Sequence, residues 1–293
     1  MKDFKLNYNS LIDKNNCAPC RLKDKKGSKN VKTCYSKESL IKIAKAWNKE
    51  YKNQSPIIFK NKSTSQLWNS IQKKLNNLCD HDEHCWKKQN FIKKMKDTEI
   101  EMYTFKPDYP KEWLKDKYTW LNTYDIYYVM KQYEKTFDDF IFLGPIPSDC
   151  PTKISCELTN IDLIKLKKNN INKIGIIYNL DTSNQSGSHW IGMYIDNINN
   201  EINIYDSQVG TGNYLIRQFV EKLVDKYRKN NIDPVVIYND TRHQYGGSEC
   251  GVYSMNFILE RLHGTNMYEI SQMKIPDEKM NYLRKILYNV KNI

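Results

Sequence analysis

The sequence predicts an α+β protein: a central, mostly antiparallel sheet flanked by helices, preceded by a basic, mainly helical N-terminal arm. Three observations predict it. Trp190-Ile-Gly-Met-Tyr-Ile-Asp196 and Glu201-Ile-Asn-Ile-Tyr-Asp206 alternate around the turn Asn197-Ile-Asn-Asn200, which reads as an antiparallel hairpin. Val252, Met255, Phe257, Ile258, Leu259 and Leu262 recur at helical spacing, as in a largely buried helix. Charge then divides the chain. Residues 1–120 hold 27 Lys/Arg against 14 Asp/Glu, a balance of +13, whereas residues 121–293 hold 19 against 20, a balance of −1. The expected organisation is an arm over residues 1–115 and a second domain over 116–293, within a length of 293 residues that suits one large and one smaller unit.

In chain order, residues 1–35 are polar and Lys-rich and carry little pattern. Ser36 is a fair cap for a helix whose Leu40, Ile43, Ala44 and Trp47 share a face. After Pro56 and Ile57-Ile-Phe59, Ser65 can open a second helix through Leu67, Ile71 and Leu75. Residues 86–119 read as a helix and a linker. Trp120 to about Glu134 is expected as a helix, Phe140–Leu143 and Ile174–Tyr178 as strands, and then the hairpin. Tyr214–Lys229 follows as an amphipathic helix, Pro234–Tyr238 as a strand, and Glu278–Val290 as a C-terminal helix. No internal repeat is visible.

The chemistry sits in the last third. In a hairpin the start of the first strand lies beside the end of the second, so His189 and Asp206 are expected within about 5 Å, allowing one residue of register error. An acid there orients an imidazole and stabilises its charged form. Gly247 and Ser248 mark a helix start, which puts Cys250 in the first turn, where the helix dipole and free N–H groups favour a thiolate. Gln244, in the loop His243-Gln-Tyr-Gly-Gly-Ser248, can offer its amide to a developing oxyanion. Taken singly, each residue has a bland structural reading; their order and local structure together point to a Cys–His–Asp relay.

At these residues the chain resembles the Ulp1-like cysteine proteases, which include SUMO-specific proteases, the adenovirus proteinase and processing proteases of large DNA viruses. The matching segments are Gly187-Ser-His-Trp190, Tyr205-Asp-Ser207 and Arg242-His-Gln-Tyr-Gly-Gly-Ser-Glu-Cys-Gly-Val-Tyr-Ser254. Trp120-Leu-Asn122 resembles the helix start that opens the SUMO-protease domain, and Ile275-Pro-Asp-Glu-Lys-Met280 resembles a C-terminal segment of a viral member. The resemblance covers roughly residues 115–293 and implies a papain-like fold. It implies Cys250 as nucleophile, His189 as base and then acid, Asp206 as orienter and Gln244 as oxyanion donor. It further implies Trp190, Trp120 and Gly251 on the substrate side, the two indoles closing over a Gly-Gly tail. Asp206 follows the SUMO-protease pattern, where some viral members carry Asn.

The implied activity is a cysteine endopeptidase that cleaves after Gly-Gly and matures viral structural polyproteins during virion assembly. The alternatives are an isopeptidase acting on SUMO- or ubiquitin-like conjugates and a nucleic-acid-binding scaffold with a vestigial protease fold. No metal or cofactor is needed for this chemistry. The expected partners are a Gly-Gly-containing protein and, through the basic arm, nucleic acid or an acidic protein. No apolar run reaches about 18 residues and the start lacks a signal core, so no membrane segment is expected. The expected location is the host cytoplasm and the virion for a viral chain, and otherwise cytoplasmic or nuclear. Eight cysteines occur, and a reduced compartment suits a thiolate. Cys17, Cys20 and Cys34 with one of Cys79, His81, His84 or Cys85 have a possible zinc reading; buried thiols or an oxidised Cys79–Cys85 pair are the competing readings.

Overall fold

The computed structural model describes residues 16–23 and 33–290. The chain divides between Pro107 and Asp108 into two compact units. The Lys-rich stretch expected over 1–35 therefore lies mostly outside the described residues.

The first unit holds α1 (Pro19–Lys23), α2 (Lys37–Glu50), α3 (Thr64–Cys79), α4 (Glu83–Trp86), α5 (Asn90–Lys93) and α6 (Thr98–Tyr103). Ser36 caps α2 as its sequence predicts. Helix α3 begins earlier than Ser65, because Ser63 and Gln66 close a reciprocal capping box. Between them the Asn48 side chain pairs with both backbone groups of Ile57, at 2.7 and 3.0 Å, and holds the link extended. Leu40, Ile43, Trp47, Leu67, Ile71 and Leu75 form the core. Glu83 ties the unit's parts together by accepting from Cys34 N–H at 3.0 Å and the Trp68 indole at 2.8 Å.

The zinc reading does not survive in this geometry. Cys17 pairs with Cys34 and Cys79 with Cys85 in disulfides, so their sulfurs are not available to one ion. Cys20 donates to the Tyr103 carbonyl. Among the described residues no group of three or more His, Cys, Asp and Glu is placed to hold a metal.

The second unit contains α7 (Glu112–Lys115), α8 (Thr123–Thr136), β1 (Phe140–Phe142), β2 (Ile146–Pro147), α9 (Leu163–Lys168), β3 (Lys173–Asn179), β4 (Trp190–Asp196) and β5 (Glu201–Tyr205). It continues with α10 (Tyr214–Arg228), β6 (Val235–Tyr238), α11 (Cys250–Leu262), α12 (Met267–Gln272) and α13 (Asp277–Leu287). Helix α8 starts after Asn122, not at Trp120, because Asn122 and Asp125 build a capping box. The sheet runs β1-β3-β4-β5-β6, with β2 also on β3. Its centre, β3-β4-β5, is antiparallel as expected. Its flanks are parallel: β1 and β2 on β3, and β6 on β5. Helix α10 bridges β5 and β6, and a crossover of that length returns the chain in the same direction. A third disulfide, Cys150–Cys156, has the same six-residue separation as Cys79–Cys85. Among the described residues no helix is long and apolar enough to cross a membrane.

One sheet face packs Ile174, Ile176, Ile191, Met193, Ile202 and Ile204 against Phe219 and Leu223 of α10. Helix α11 is buried along its whole length. At Gly192 a Cβ would stand 2.7 Å from the Phe257 ring, so the missing side chain lets α11 approach β4 closely. Phe257 also stacks on Tyr205, with centroids 5.0 Å apart.

Candidate active site

The hairpin register sets the first pair. Gly192 faces Tyr205, so His189 stands two positions beyond direct opposition to Asp206. Side chains alternate with period two, so the offset leaves both on one face, within diagonal reach. His189 Nε2 and Asp206 Oδ1 are 2.7 Å apart.

Asp206 is itself held from three sides. The Asn239 side-chain amide brackets its backbone, accepting from Asp206 N–H at 2.8 Å and donating to its carbonyl at 2.7 Å. Gln208 N–H donates to Oδ1 at 2.9 Å. A Cβ on Gly210 would fall 2.4 Å from Oδ2, so only glycine leaves the carboxylate its place. Within this turn Val209 has φ of 67°, a costly conformation for a β-branched residue, three positions from Asp206.

Cys250 opens α11 and is only 2 % exposed. Four residues on, on the same helix face, Ser254 donates to the Trp190 carbonyl at 3.2 Å. That bond pins the helix to the strand that follows His189. Cys250 acts on the His189 ring electrostatically, alongside Asp206. Asp206 takes Nε2, which leaves Nδ1 as the ring nitrogen that Asp206 does not engage. Burial works against a charged imidazole; the Asp206 hydrogen bond and the negative charge of Asp206 and Cys250 outweigh it and raise His189 from 6.5 to about 9.

Gln244 is fully buried. The Ser207 hydroxyl donates to its Oε1 at 2.6 Å, and its Nε2 donates to the Gly246 carbonyl at 2.9 Å. Ser207 also accepts from the backbone N–H groups of His243 and Gln244. The residue after the acid therefore fixes both the loop and the sense of the Gln244 amide, and one N–H of that amide remains beyond the Gly246 contact. His243 plays a different part from His189. Its Nε2 faces the Ser271 carbonyl at 2.9 Å, its Nδ1 faces the Tyr205 hydroxyl at 2.6 Å, and burial lowers its pKa. It is a neutral strut.

Trp190 is buried and donates its indole N–H to the Leu121 carbonyl at 3.0 Å. Trp120, beside Leu121, is 46 % exposed. Both indoles line one cleft of about 460 Å³, together with Pro145, Asn179, Asp181 and Gly187. Trp120 also borders a second cleft of about 640 Å³ that includes Gly246–Glu249. The first cleft is lined by Gly187 and Trp190, sequence neighbours of His189, and the second by Glu249, the residue before Cys250.

Gly251, expected on the substrate side, has another place. A Cβ there would stand 3.2 Å from Trp190 Cδ1, 3.3 Å from Leu121 Cβ and 3.4 Å from Ile126 Cδ1. It seats the indole from below, inside the core. Gly251→Ala is expected to lower stability by about 1–3 kcal/mol through overpacking. A urea midpoint unchanged from the parent would contradict that packing role.

Sequence reasoning missed Ser207, Gln208, Asn239 and Gly210 as supports. Ser207 lay inside a motif already quoted; the other three carry no local signal of their own.

Residues 165–293 match the Ulp1 protease family, C-terminal catalytic domain. A protein of Acanthamoeba polyphaga mimivirus, itself named as a candidate thiol protease, is 31 % identical over 291 residues, spanning 94 % of this chain and 93 % of that protein. The SUMO-1 cysteine protease of African swine fever virus is 25 % identical over 130 residues, 43 % of this chain and 47 % of that protein. In three dimensions the crystal structure of the African swine fever virus pS273R protease superposes with a TM-score of 0.66 at 19 % identity, over 98 % of this chain and 100 % of that one, a likeness of fold. With kinship along nearly its whole length, and with the catalytic-domain match over its last third and more, this chain belongs to the Ulp1 family of cysteine proteases.

Proposed function

We propose that the chain is a thiol endopeptidase that cleaves after Gly-Gly, with Cys250 as nucleophile. One observation carries the reading: the His189 imidazole lies 2.7 Å from the Asp206 carboxylate and is raised to about 9 by the Asp206 and Cys250 side chains. His189 takes the thiol proton, and the sulfur attacks the scissile carbonyl carbon. The oxygen takes up the displaced electron pair and is held by the remaining Gln244 amide N–H and by the Cys250 backbone N–H at the open start of α11. The tetrahedral adduct collapses, the C–N bond breaks, and His189 returns its proton to the leaving amine. Water, deprotonated by His189, then cleaves the thioester.

Gly-Gly selectivity is supported by the walls of the smaller cleft. Trp120 and Trp190 both line it, and a slot between two aromatic faces would fit an extended backbone where side chains are absent. The substrate reading is a viral structural polyprotein matured during assembly, in the host cytoplasm and virion, and the relatives in two large DNA viruses support it. The basic arm then serves to recruit nucleic acid or an acidic protein. A second reading is favoured by the name of the African swine fever virus relative: processing of SUMO-like conjugates.

A panel of Gly-Gly-Xaa, Gly-Ala-Xaa and Ala-Gly-Xaa peptides, run beside SUMO- and ubiquitin-based electrophilic probes, separates these readings. The polyprotein reading expects efficient cleavage of Gly-Gly peptides alone and weak capture by folded probes. Capture of a SUMO probe with little peptide cleavage would replace it by the second reading. Equal cleavage of all three peptide classes would remove Gly-Gly selectivity.

A further inference from the structure

Helix α13 opens with Asp277, in the segment Ile275–Met280 that resembles a family segment but had no role attached. Its carboxylate reaches the loop before Cys250. Oδ2 accepts from two successive backbone N–H groups, Tyr245 at 3.0 Å and Gly246 at 2.7 Å. Oδ1 lies 3.0 Å from the Tyr253 hydroxyl, inside the first turn of α11. Hydrogen bonds to an ionised acceptor are roughly twice as strong as neutral ones, so this grip outweighs an ordinary loop contact.

The rest of α13 continues the grip. Asn281 donates to Glu249 Oε1 at 2.7 Å, and Glu249 in turn holds the Ser248 hydroxyl at 2.6 Å. The buried Arg284 guanidinium donates to the Ser248 carbonyl at 2.9 Å and to the Thr119 carbonyl at 2.7 Å. Gly246 is where these contacts converge. A Cβ there would stand 2.7 Å from Glu249 Oε2 and 3.3 Å from Asp277 Oδ2. The same residue's carbonyl accepts from Gln244 Nε2. A short chain thus runs from Asp277 through Gly246 to the amide of Gln244.

We propose that Asp277 is a positioning residue: by fixing Tyr245 and Gly246 it sets where the Gln244 amide points during the reaction. The inference rests on the oxyanion role given to Gln244 above. Asp277 touches no reacting atom, so its effect passes through Gln244.

A double-mutant cycle on cleavage of a Gly-Gly-Xaa peptide tests this. Gln244→Ala is expected to lower kcat by roughly 10²–10³-fold, the scale for one oxyanion donor. Asp277→Ala is expected to lower kcat by about 10- to 100-fold with KM within about twofold. In the Gln244→Ala background the same change should cost less than about threefold. Asp277→Asn keeps an oxygen for both N–H groups and should stay within about fivefold of the parent. Alkylation of Cys250 by iodoacetamide forms no oxyanion, and its rate should be unmoved by Asp277→Ala. Equal losses from Asp277→Ala in both backgrounds, or slowed alkylation, would overturn the positioning role alone. An unchanged kcat in Gln244→Ala would overturn it together with the oxyanion reading.

Discussion

Replacing Cys250 with alanine is expected to abolish peptide cleavage, lowering kcat by roughly 10⁵-fold or more, the scale on which a relay fails without its nucleophile. Labelling by an electrophilic Gly-Gly peptide should disappear with it. The fold should remain, since only one buried sulfur is removed and the lost contacts amount to about 1 kcal/mol. Cys250→Ser serves as the conservative companion and is expected to be almost as slow, because a serine hydroxyl is far less readily ionised than a thiol. Labelling that persisted in Cys250→Ala would point to Cys20, which is also a thiol in this chain. Cleavage that persisted would end the protease mechanism and favour the scaffold reading.

The second large effect concerns charge on His189. Its folded pKa of about 9 lies above the ordinary 6.5. The imidazolium that protonates the leaving amine should therefore persist through neutral pH, and kcat should fall as pH rises through about 9. Asp206→Ala removes one of the contacts that raise the value, so the alkaline limb should move to lower pH. The accompanying loss in kcat is expected at about 10²–10⁴-fold. The same shift acts on stability. A raised folded pKa gives stabilisation that is complete below 6.5 and is lost as pH climbs towards and through 9. Urea midpoints measured from pH 6 to 10 should fall across that window in the parent and flatten in Asp206→Ala. An alkaline limb that stayed near 9 in Asp206→Ala would remove Asp206 from the relay.

Much of this was legible in the sequence, and the reason is periodicity. Hairpin adjacency predicts that His189 and Asp206 meet; their offset of two residues is one more than that expectation allowed, and they still meet because a slip of two does not change the face. Helical spacing predicts that Cys250 opens a buried helix. What stayed hidden depends on contacts between distant segments. Arg284 meets the Thr119 carbonyl across 165 residues, and Asn239 meets Asp206 across 33. Neither leaves a mark on its neighbours. The parallel flanks of the sheet were missed because hydrophobic patterning reports burial and not strand direction. The Cys79–Cys85 disulfide was among the readings the spacing allowed, but Cys17–Cys34 and Cys150–Cys156 were missed, because cysteine spacing alone does not choose between a metal and a sulfur partner.

Trp190's indole N–H is already committed to the Leu121 carbonyl. That wall of the slot therefore offers an arriving peptide a surface without a donor. In the proposed reaction it rejects a methyl group by volume and by nothing else. Rejection by shape has a known ceiling: about 1–3 kcal/mol, or 10- to 200-fold, for one methylene-sized group. An enzyme built this way discriminates glycine from alanine by hundreds at most at each position. Two consecutive glycines are then a means of multiplying one modest sieve by another, which a single recognition pocket of the same design does not achieve.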